Sequence, residues 1–379
     1  MNLFGKVAPP DDYVSNPHAF LADLQRRGRI GFVEDRNMWV VSGYETLSQL
    51  LRSPSVVPGG ASSFADKSPA FRASLAHQIR LWLKPPFCDD IQLAVSRAVA
   101  DAVSAVLEGD QADLVPALAH RIPMRVMAAL LGIPAADLPM LSELGRAVLG
   151  GYDLSWPGRV PSAAGVARAL IRAYFSRQLA ASTTDAGPPL RQAMVTCAVQ
   201  HALPEASLHD AFGTMVTAGV TTTASALANI LVRLLSTNTS STGPAPVGQT
   251  ARWADEFLRL DSPILGIRRK IGADLEFDGY QMRRGQEMLL LTAAANRDPD
   301  RFADPHRFWP DRPNMAHLSF GHGAFYCLGA HLARLEINCL LQALAPCFHR
   351  FRASAAPTRV QGWLTHDVAT IPVSITPGV

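Results

Sequence analysis

The sequence has little net charge and few charged residues for its length. Its 379 residues carry a net charge of +3, and Asp, Glu, Lys and Arg together make up 18% of them. Its basic residues do not form runs with interleaved aromatic residues. Because nucleic-acid binding depends mainly on clustered positive charge, this composition argues against a nucleic-acid partner.

Cysteine is also scarce, and its spacing excludes several kinds of metal site. The five cysteines contain no C-x-x-C pair, and the sequence has no H-E-x-x-H motif. The sequence therefore lacks the ligand spacing that is usual for zinc and iron–sulfur sites. Scattered cysteines also favour a reducing compartment over a disulfide-stabilised secreted protein.

The first twenty residues contain no apolar stretch typical of a signal peptide or a membrane anchor. We therefore expect a cytoplasmic protein that is not attached to a membrane. Hydrophobic residues make up 48% of the chain, which is enough for a large core. Length alone is compatible with two or three domains.

The hydrophobic pattern predicts a mainly α-helical protein with small β-sheets. The predicted elements are early helices at LADLQRRG and YETLSQLLRSP with the strand MWVVSG between them, helices within 92–150 and 163–182, and short strands within 264–295. A polar segment rich in Gly, Pro and Ser, residues 236–250, predicts a loop.

Residues 207–236 are apolar or small on nearly every side, which predicts a helix buried through the middle of the protein. Ser207 and Asp210 resemble a capping box at its start. Asp210, Arg233 and several threonines argue against a membrane span.

The most informative segment is FGHGAFYCLGAHLARLE, which places Cys327 in a glycine-rich loop before a predicted helix at 328–344. Its glycines allow tight turns and the close approach of a flat ligand. The start of a helix favours a thiolate over a thiol. A dinucleotide-binding G-x-G-x-x-G match from Gly321 would need glycine where Tyr326 stands. The alternative is that Cys327 is a buried structural cysteine.

FGHGAFYCLG resembles the haem-binding loop of the cytochromes P-450, F-x-x-G-x-x-x-C-x-G. The fixed positions of that pattern are filled by Phe320, Gly323, Cys327 and Gly329. The resemblance implies a single catalytic domain over residues 1–379 with the cytochrome P-450 fold, in which haem lies between the long central helix and the helix after the cysteine. It also implies that Cys327 ligates the iron of haem b (iron protoporphyrin IX) and that Phe320, Gly321 and Gly329 contribute to cofactor binding.

A second signature is Glu256-Phe-Leu-Arg259, which matches the family's E-x-x-R motif. Residues at this spacing share one face of a helix and can pair. The segment RFADPHRFWPDR follows, and its Arg312 matches the arginine that completes a buried triad in the family. The resemblance therefore implies a structural triad of Glu256, Arg259 and Arg312.

The third signature is AGVTTT in the central helix, which matches the family's (A/G)-G-x-(D/E)-T motif on the oxygen side of the haem. Ala218, Gly219 and Thr222 match, but Thr221 stands where the family has an acid. The resemblance implies that these four positions are catalytic. A hydroxyl at Thr221 can pass a proton along but, unlike a carboxylic acid, cannot supply one.

Three basic residues are expected to bind the haem propionates. Arg80 matches the arginine of the family's H-x-x-x-R helix, His77 lies one residue after the matching histidine position, and Arg269 matches an arginine on a later strand. Phe325 departs from the family, which has His or Arg two residues before the cysteine. One propionate contact is therefore expected to be missing, or to be supplied by Arg80 and Arg269.

Positions that contact substrate in the family correspond here to the loop at 58–75 and to a few apolar residues. These are Met215, Val216, Ile264, Leu265 and Trp363. The alternative is that they are core residues, as apolar residues at such positions more often are.

The resemblance implies a monomeric enzyme that activates dioxygen and oxidises a small hydrophobic or aromatic natural product in secondary metabolism. Electrons would come from NAD(P)H through a ferredoxin reductase and a ferredoxin, which would dock near Lys84, His331 and Arg334. An alternative is oxidative C–C, C–N or C–O coupling of an aromatic or peptide-derived substrate without oxygen insertion. A haem sensor or carrier without turnover is the alternative from another functional class.

Overall fold

A computed structural model describes residues 12–59, 73–74, 77, 87–150, 162–180, 188–236 and 248–377. The α-helices of this part of the chain are α1 (Pro17–Arg27), α2 (Tyr44–Arg52), α3 (Phe87–Leu107), α4 (Arg121–Leu131), α5 (Leu138–Gly150), α6 (Ser162–Ala180), α7 (Pro189–Gln200), α8 (Glu205–Ser236), α9 (Thr250–Leu260), α10 (Thr292–Ala295) and α11 (Ala330–Leu344).

The strands are short. They are β1 (Ile30–Val33), β2 (Met38–Val41), β3 (Val56–Pro58), β4 (Gln111–Asp113), β5 (Ile267–Ile271), β6 (Leu275–Phe277), β7 (Tyr280–Met282), β8 (Glu287–Leu290), β9 (Phe351–Ala353), β10 (Thr358–Arg359), β11 (Val368–Thr370) and β12 (Pro372–Ile375). The predicted fold class, mainly α with small β-sheets, is confirmed.

The chain divides into two compact units. The first comprises Met1–Ala65, Arg252–Cys327 and Arg359–Asp367, and the second comprises Asp66–Ala251, Leu328–Thr358 and Val368–Val379. The single catalytic domain expected from the sequence stays a prediction.

The first unit is built on a sheet with strand order β1-β2-β8-β5-β3. Strand β2 pairs in parallel with β8, while the other neighbours pair antiparallel. All four residues of β2 are buried, as expected for the apolar run MWVV in a strand with neighbours on both sides. The core of this unit packs Trp39, Leu47, Met288 and Phe302 together with residues of α2.

The second unit is helical, with a small sheet of order β4-β12-β9. Helices α4, α5 and α6 pack against α8, and α11 packs against α3. Helix α8 is long and apolar enough to cross a membrane, but most of it is buried by the rest of the protein. It is therefore explained as the core helix that its all-round apolar character predicts.

Helix α8 begins two residues earlier than the sequence predicts, and the predicted capping box is wrong. The carbonyl oxygen of Pro204 accepts hydrogen bonds from the backbone N–H groups of Ser207 at 2.8 Å and Leu208 at 3.1 Å. Ser207 therefore lies inside the first turn rather than at the N-cap. Proline suits this position because its ring fixes φ near the helical value and its missing N–H would have no partner within the helix.

Candidate functional site

The loop that carries Cys327 ends shortly before α11, which begins at Ala330. The backbone N–H of Cys327 donates to the carbonyl oxygen of Phe320 at 2.9 Å, so the loop closes on itself. The Cys327 side chain is exposed, whereas Cys197 and Cys339 are buried. This exposure rules out a buried structural cysteine and leaves the thiol accessible to a ligand.

Two glycines give the loop its shape. Gly321 and Gly323 have φ angles of +71° and +68°, in the region that residues with a Cβ atom rarely adopt. Gly323 begins a 3-10 turn, Gly323–Phe325, which packs against α2. The third predicted loop glycine, Gly329, is the N-cap residue of α11.

The structure brings Glu256, Arg259 and Arg312 together. Arg259 donates from Nε to Oε2 of Glu256 at 2.7 Å and from Nη2 to Oε1 at 2.8 Å, and both side chains are fully buried. Nη2 of Arg312 lies 3.5 Å from Oε1 of Glu256, which also accepts a bond from the Trp309 backbone at 2.8 Å. Burial lowers the pKa of Arg312, as does repulsion from Arg259, while Glu256 opposes both effects.

Backbone carbonyl oxygens accept further hydrogen bonds from the two guanidinium groups. Arg259 donates to the carbonyl oxygens of Asn296 and Pro305, each at 2.8 Å. Arg312 donates to that of Asp304 at 3.2 Å. Two cations facing one carboxylate are thus solvated by fixed backbone dipoles, which compensates for the water they lose.

A hydrogen-bond path that the sequence did not reveal links the triad to the cysteine loop. The amide of Asn296, which is fully buried, donates to Oγ of Ser319 at 2.8 Å and accepts from the backbone N–H of Leu318 at 2.6 Å. Ser319 in turn donates to the carbonyl oxygen of Leu258 on α9 at 2.7 Å. Apart from an asparagine following the apolar run LLLTAAA, no sequence signal points to this path.

His317 joins the same region to α9. Its Nδ1 accepts a hydrogen bond from the Ser319 backbone N–H at 3.2 Å, and its Nε2 lies 3.3 Å from Oδ1 of Asp255. The ring also contacts that of Phe320, with centroids 5.6 Å apart. Because Nδ1 accepts, the proton of the neutral ring lies on Nε2 and is donated to Asp255. No sequence motif points to His317.

In the otherwise buried middle of α8, one stripe is open. Its residues recur at helical spacing and lie on one face. They are Thr214, Met215, Ala218, Gly219 and Thr222, with Ala218 the most exposed. Ala218 has a small side chain, so the stripe is most open to a ligand at this residue.

The two threonines of the AGVTTT motif have different surroundings. Thr222 is half-buried on the open stripe and donates from Oγ1 to the carbonyl oxygen of Ala218 at 2.6 Å. Thr221 is only 3% exposed and donates to the carbonyl oxygen of Thr217, also at 2.6 Å. It faces α5, where its Cγ2 would lie 3.4 Å from a Cβ at Gly145. Thr222, and not Thr221, therefore faces the open stripe.

The predicted propionate-binding residues are placed only in part. Arg80 lies outside the described residues, and so does most of the loop at 58–75. His77 is helical and exposed. Arg269 lies on β5, and its guanidinium group is over the ring of Phe325, 5.6 Å from the ring centroid.

The predicted substrate contacts differ in accessibility. Val216 and Leu265 are 3% and 1% exposed, as in a protein core. Met215, Ile264 and Trp363 are half-buried, and the carbonyl oxygen of Trp363 accepts a hydrogen bond from the Tyr13 hydroxyl at 2.7 Å. Their roles in substrate binding stay predictions.

The chemistry of these groups fits a haem-thiolate cofactor. The cysteine is accessible at the end of a loop held by backbone bonds, directly before a helix N-terminus that favours a thiolate. Arg269 offers a guanidinium suited to a carboxylate in the same unit. Among the described residues there is no cluster of three or more His, Cys, Asp or Glu residues that would suit another metal.

Comparisons with known proteins agree with this chemistry. The profile of the family described as "Cytochrome P450" matches residues 251–371. Cytochrome P450 BJ-3 of Bradyrhizobium diazoefficiens is 29% identical over 334 residues, which cover 83% of this chain and 78% of the relative. Cytochrome P450 monooxygenase PikC of Streptomyces venezuelae is 28% identical over 359 residues, which cover 88% of this chain and 84% of PikC.

Solved structures extend the similarity to almost the whole chain. The ligand-free crystal structure of Mycobacterium smegmatis CYP164A2 superposes with a TM-score of 0.85 at 26% identity. The match covers 96% of this chain and 97% of that one. The predicted cytochrome P-450 fold is therefore confirmed. In sequence motifs, fold and relatives alike, this chain belongs to the cytochrome P450 family and is an oxidoreductase of the monooxygenase type.

Proposed function

We propose that this enzyme is a cytoplasmic monomer that uses haem b, ligated by Cys327, to oxidise a small hydrophobic or aromatic natural product with dioxygen. The observation that supports the ligand is the exposed Cys327 thiol in a loop closed by its own backbone bond to Phe320. When bound, haem with a thiolate ligand supplies the activation of dioxygen and the oxidation of a substrate bond. The residues of the chain would ligate the cofactor, orient it and hold a proton donor in position.

The cysteine loop would be held in place by the network around it. Asn296 bonds both to the triad arginine Arg259 and to Ser319, next to Phe320. His317 adds a bond to the Ser319 backbone. A thiolate fixed in this way keeps its orientation during the reaction, because the loop cannot turn without breaking buried hydrogen bonds.

On the central helix, Thr222 is the residue suited to contact a polar group above the open stripe. Its hydroxyl proton is donated to the carbonyl oxygen of Ala218, so the lone pairs of Oγ1 remain available to accept. Thr222 would therefore accept a hydrogen bond and hold a proton donor in position. Thr221 is buried and its hydroxyl is bonded to Thr217, so it would contribute to helix packing more than to proton delivery.

The name of PikC describes a monooxygenase, which favours oxygen insertion for this chain as well. Electrons would come from NAD(P)H through a ferredoxin reductase and a ferredoxin. Arg334 is half-buried and His331 exposed on α11, while Lys84 lies outside the described residues. His331 and Arg334 would form part of the ferredoxin-docking face.

Oxidative coupling without oxygen insertion is the second candidate, and the burial of Thr221 favours it. Without an acid at this position, a phenol, indole or amide N–H of the substrate would take over proton delivery. Turnover under ¹⁸O₂, with a substrate found by its spectral shift, separates the two reactions. Stoichiometric ¹⁸O in the product would establish monooxygenation, and a product without ¹⁸O would establish coupling.

The ligand assignment is tested with Cys327→Ser in the full-length protein. We expect the reduced wild-type protein under carbon monoxide to show the red-shifted Soret band of a thiolate complex, and the variant to lose it. Cys347→Ser is the matched control and should keep the band. If Cys327→Ser retains the band, the assignment of Cys327 is wrong. A wild-type protein that binds no haem would overturn the proposed function.

A further inference from the structure

The side chains of Phe325 and Arg269 are in contact, and Phe325 stands where the family has His or Arg. The guanidinium carbon of Arg269 lies 5.6 Å from the centroid of the Phe325 ring. This distance is within the roughly 6 Å over which the negative face of an aromatic ring attracts a cation. Both side chains are half-buried and belong to the same compact unit, so the contact is partly protected from water.

The backbone of Arg269 is fixed on both sides. It pairs with Pro58 of β3 and with Met288 of β8. The next residue after β3, Gly59, packs so closely that a Cβ there would lie 2.7 Å from the carbonyl carbon of Arg269. One arm of the guanidinium group, Nη1, donates to the carbonyl oxygen of Arg268 at 2.9 Å. The direction of the side chain is therefore largely set by the sheet.

The backbone of Phe325 is fixed independently. It lies in the 3-10 turn that begins at Gly323, where the N–H of Tyr326 donates back to the Gly323 carbonyl oxygen at 3.1 Å. That turn packs against the end of α2. The ring and the guanidinium group thus meet because two separate backbone segments hold them there.

We propose that Phe325 is a positioning residue that holds the Arg269 guanidinium ready to bind a carboxylate. This rests on the proposed function, in which the carboxylate is a haem propionate. A His or Arg at 325 would offer the carboxylate a cation of its own. Phenylalanine instead restricts the motion of the neighbouring arginine, so that less side-chain entropy is lost when the carboxylate binds.

The test compares Phe325→Leu, Phe325→Tyr, Arg269→Met and the Phe325→Leu/Arg269→Met double variant as full-length holoenzymes. The measured quantity is the rate of haem transfer to excess apomyoglobin. Removing the ring should speed haem loss about two- to fivefold, as expected for losing a partly exposed cation–π contact. Phe325→Tyr keeps the aromatic face and should lose haem at the wild-type rate. In the Arg269→Met background, Phe325→Leu should have no further effect, because the ring acts through the arginine.

If Phe325→Leu speeds haem loss equally with and without Arg269, the proposal is overturned, because the ring then acts by packing alone. An unchanged rate in Phe325→Leu would overturn it as well. Phe325→Met provides a second ring-free variant if the leucine variant fails to fold. The reduced carbon monoxide spectrum separates this inference from the proposed function. If the variants keep the thiolate band but the two substitutions change the rate of haem loss additively, only the proposed role of Phe325 is refuted. A wild-type protein without the band would refute the haem-thiolate assignment.

Discussion

Gly323 in the cysteine loop lies so close to Leu51 at the end of α2 that a Cβ atom on the glycine would be 2.7 Å from the leucine carbonyl oxygen. The contact is between two backbones, so neither partner can move aside by changing a rotamer. Leu51 itself is buried in the core of its unit. The position of the loop therefore depends on the helix it touches.

Gly323→Ala should lower the free energy of unfolding by about 3 kcal/mol or more, because it combines a left-handed backbone with a backbone clash. The control is Gly279→Ala, where φ is +77° but nothing lies within 4 Å of the added Cβ. This variant carries the conformational cost alone, about 1–2 kcal/mol. Urea-induced unfolding of both variants measures the difference. Equal destabilisation would contradict the importance of the Leu51 contact.

Removal of Glu256 should have a much larger effect than removal of a surface carboxylate. Glu256→Ala leaves two buried guanidinium groups without their carboxylate, which costs about 3–5 kcal/mol. We expect loss of haem incorporation together with a lower melting temperature. Asp311 forms an exposed ion pair with Arg252, in which the Asp311 side chain is 63% exposed and that of Arg252 is 68% exposed. Asp311→Ala breaks this pair and should change stability by less than about 1 kcal/mol. Wild-type haem content in Glu256→Ala would count against the structural triad.

Gly219 carries a packing constraint besides its place in the oxygen-side motif. A Cβ at Gly219 would lie 2.9 Å from Sδ of Met127 on α4, so Gly219→Ala should push the methionine aside at a cost of about 1–3 kcal/mol. In a Met127→Ala background the clash disappears, and the same change should stabilise the helix by about 1 kcal/mol. A double-mutant cycle measured by urea unfolding reports this reversal of sign. Additive effects would show that the two residues do not compete for space.

Sequence alone located the elements that depend on local spacing. The positions of Glu256 and Arg259 share a helix face, and the apolar pattern of α8 predicts its burial; both follow from helical periodicity. The capping box at Ser207 was wrong because Pro204 competes as the first hydrogen-bond acceptor of the same helix. Capping patterns in a sequence do not distinguish well between two candidate helix starts that lie within one turn of each other.

Contacts between distant segments could not be predicted in this way. Gly323 is separated from Leu51 by most of the chain, and Asn296 reaches Ser319 through its side chain. The periodicity of apolar residues indicates which face of a helix or strand is apolar. It does not indicate which distant segment packs against that face. The cation–π contact between Arg269 and Phe325 is of the same kind, since the sequence showed only that a cation was missing at 325.

Glu336 on α11 should make stability fall as pH rises. Its side chain is buried with 1% of the residue exposed, and Oε2 has no hydrogen-bond partner among the described residues. Burial raises the pKa of this carboxyl group well above its usual value. Between the unfolded and the folded pKa, the folded state therefore holds one proton that the unfolded state has released. The free energy of unfolding then decreases with pH, by at most about 1.4 kcal/mol per pH unit for one group.

Glu336→Gln keeps the shape of the side chain and removes this titration. We expect wild type and variant to have similar stability near the unfolded pKa of about 4.3, and the variant to become progressively more stable than the wild type as the pH rises toward neutral. Urea unfolding at a series of pH values measures the difference. Glu143→Gln on the exposed surface of α5 is the control and should follow the wild-type curve. A Glu336→Gln curve parallel to that of the wild type would mean that the buried carboxyl group ionises as readily in the folded protein as in the unfolded chain.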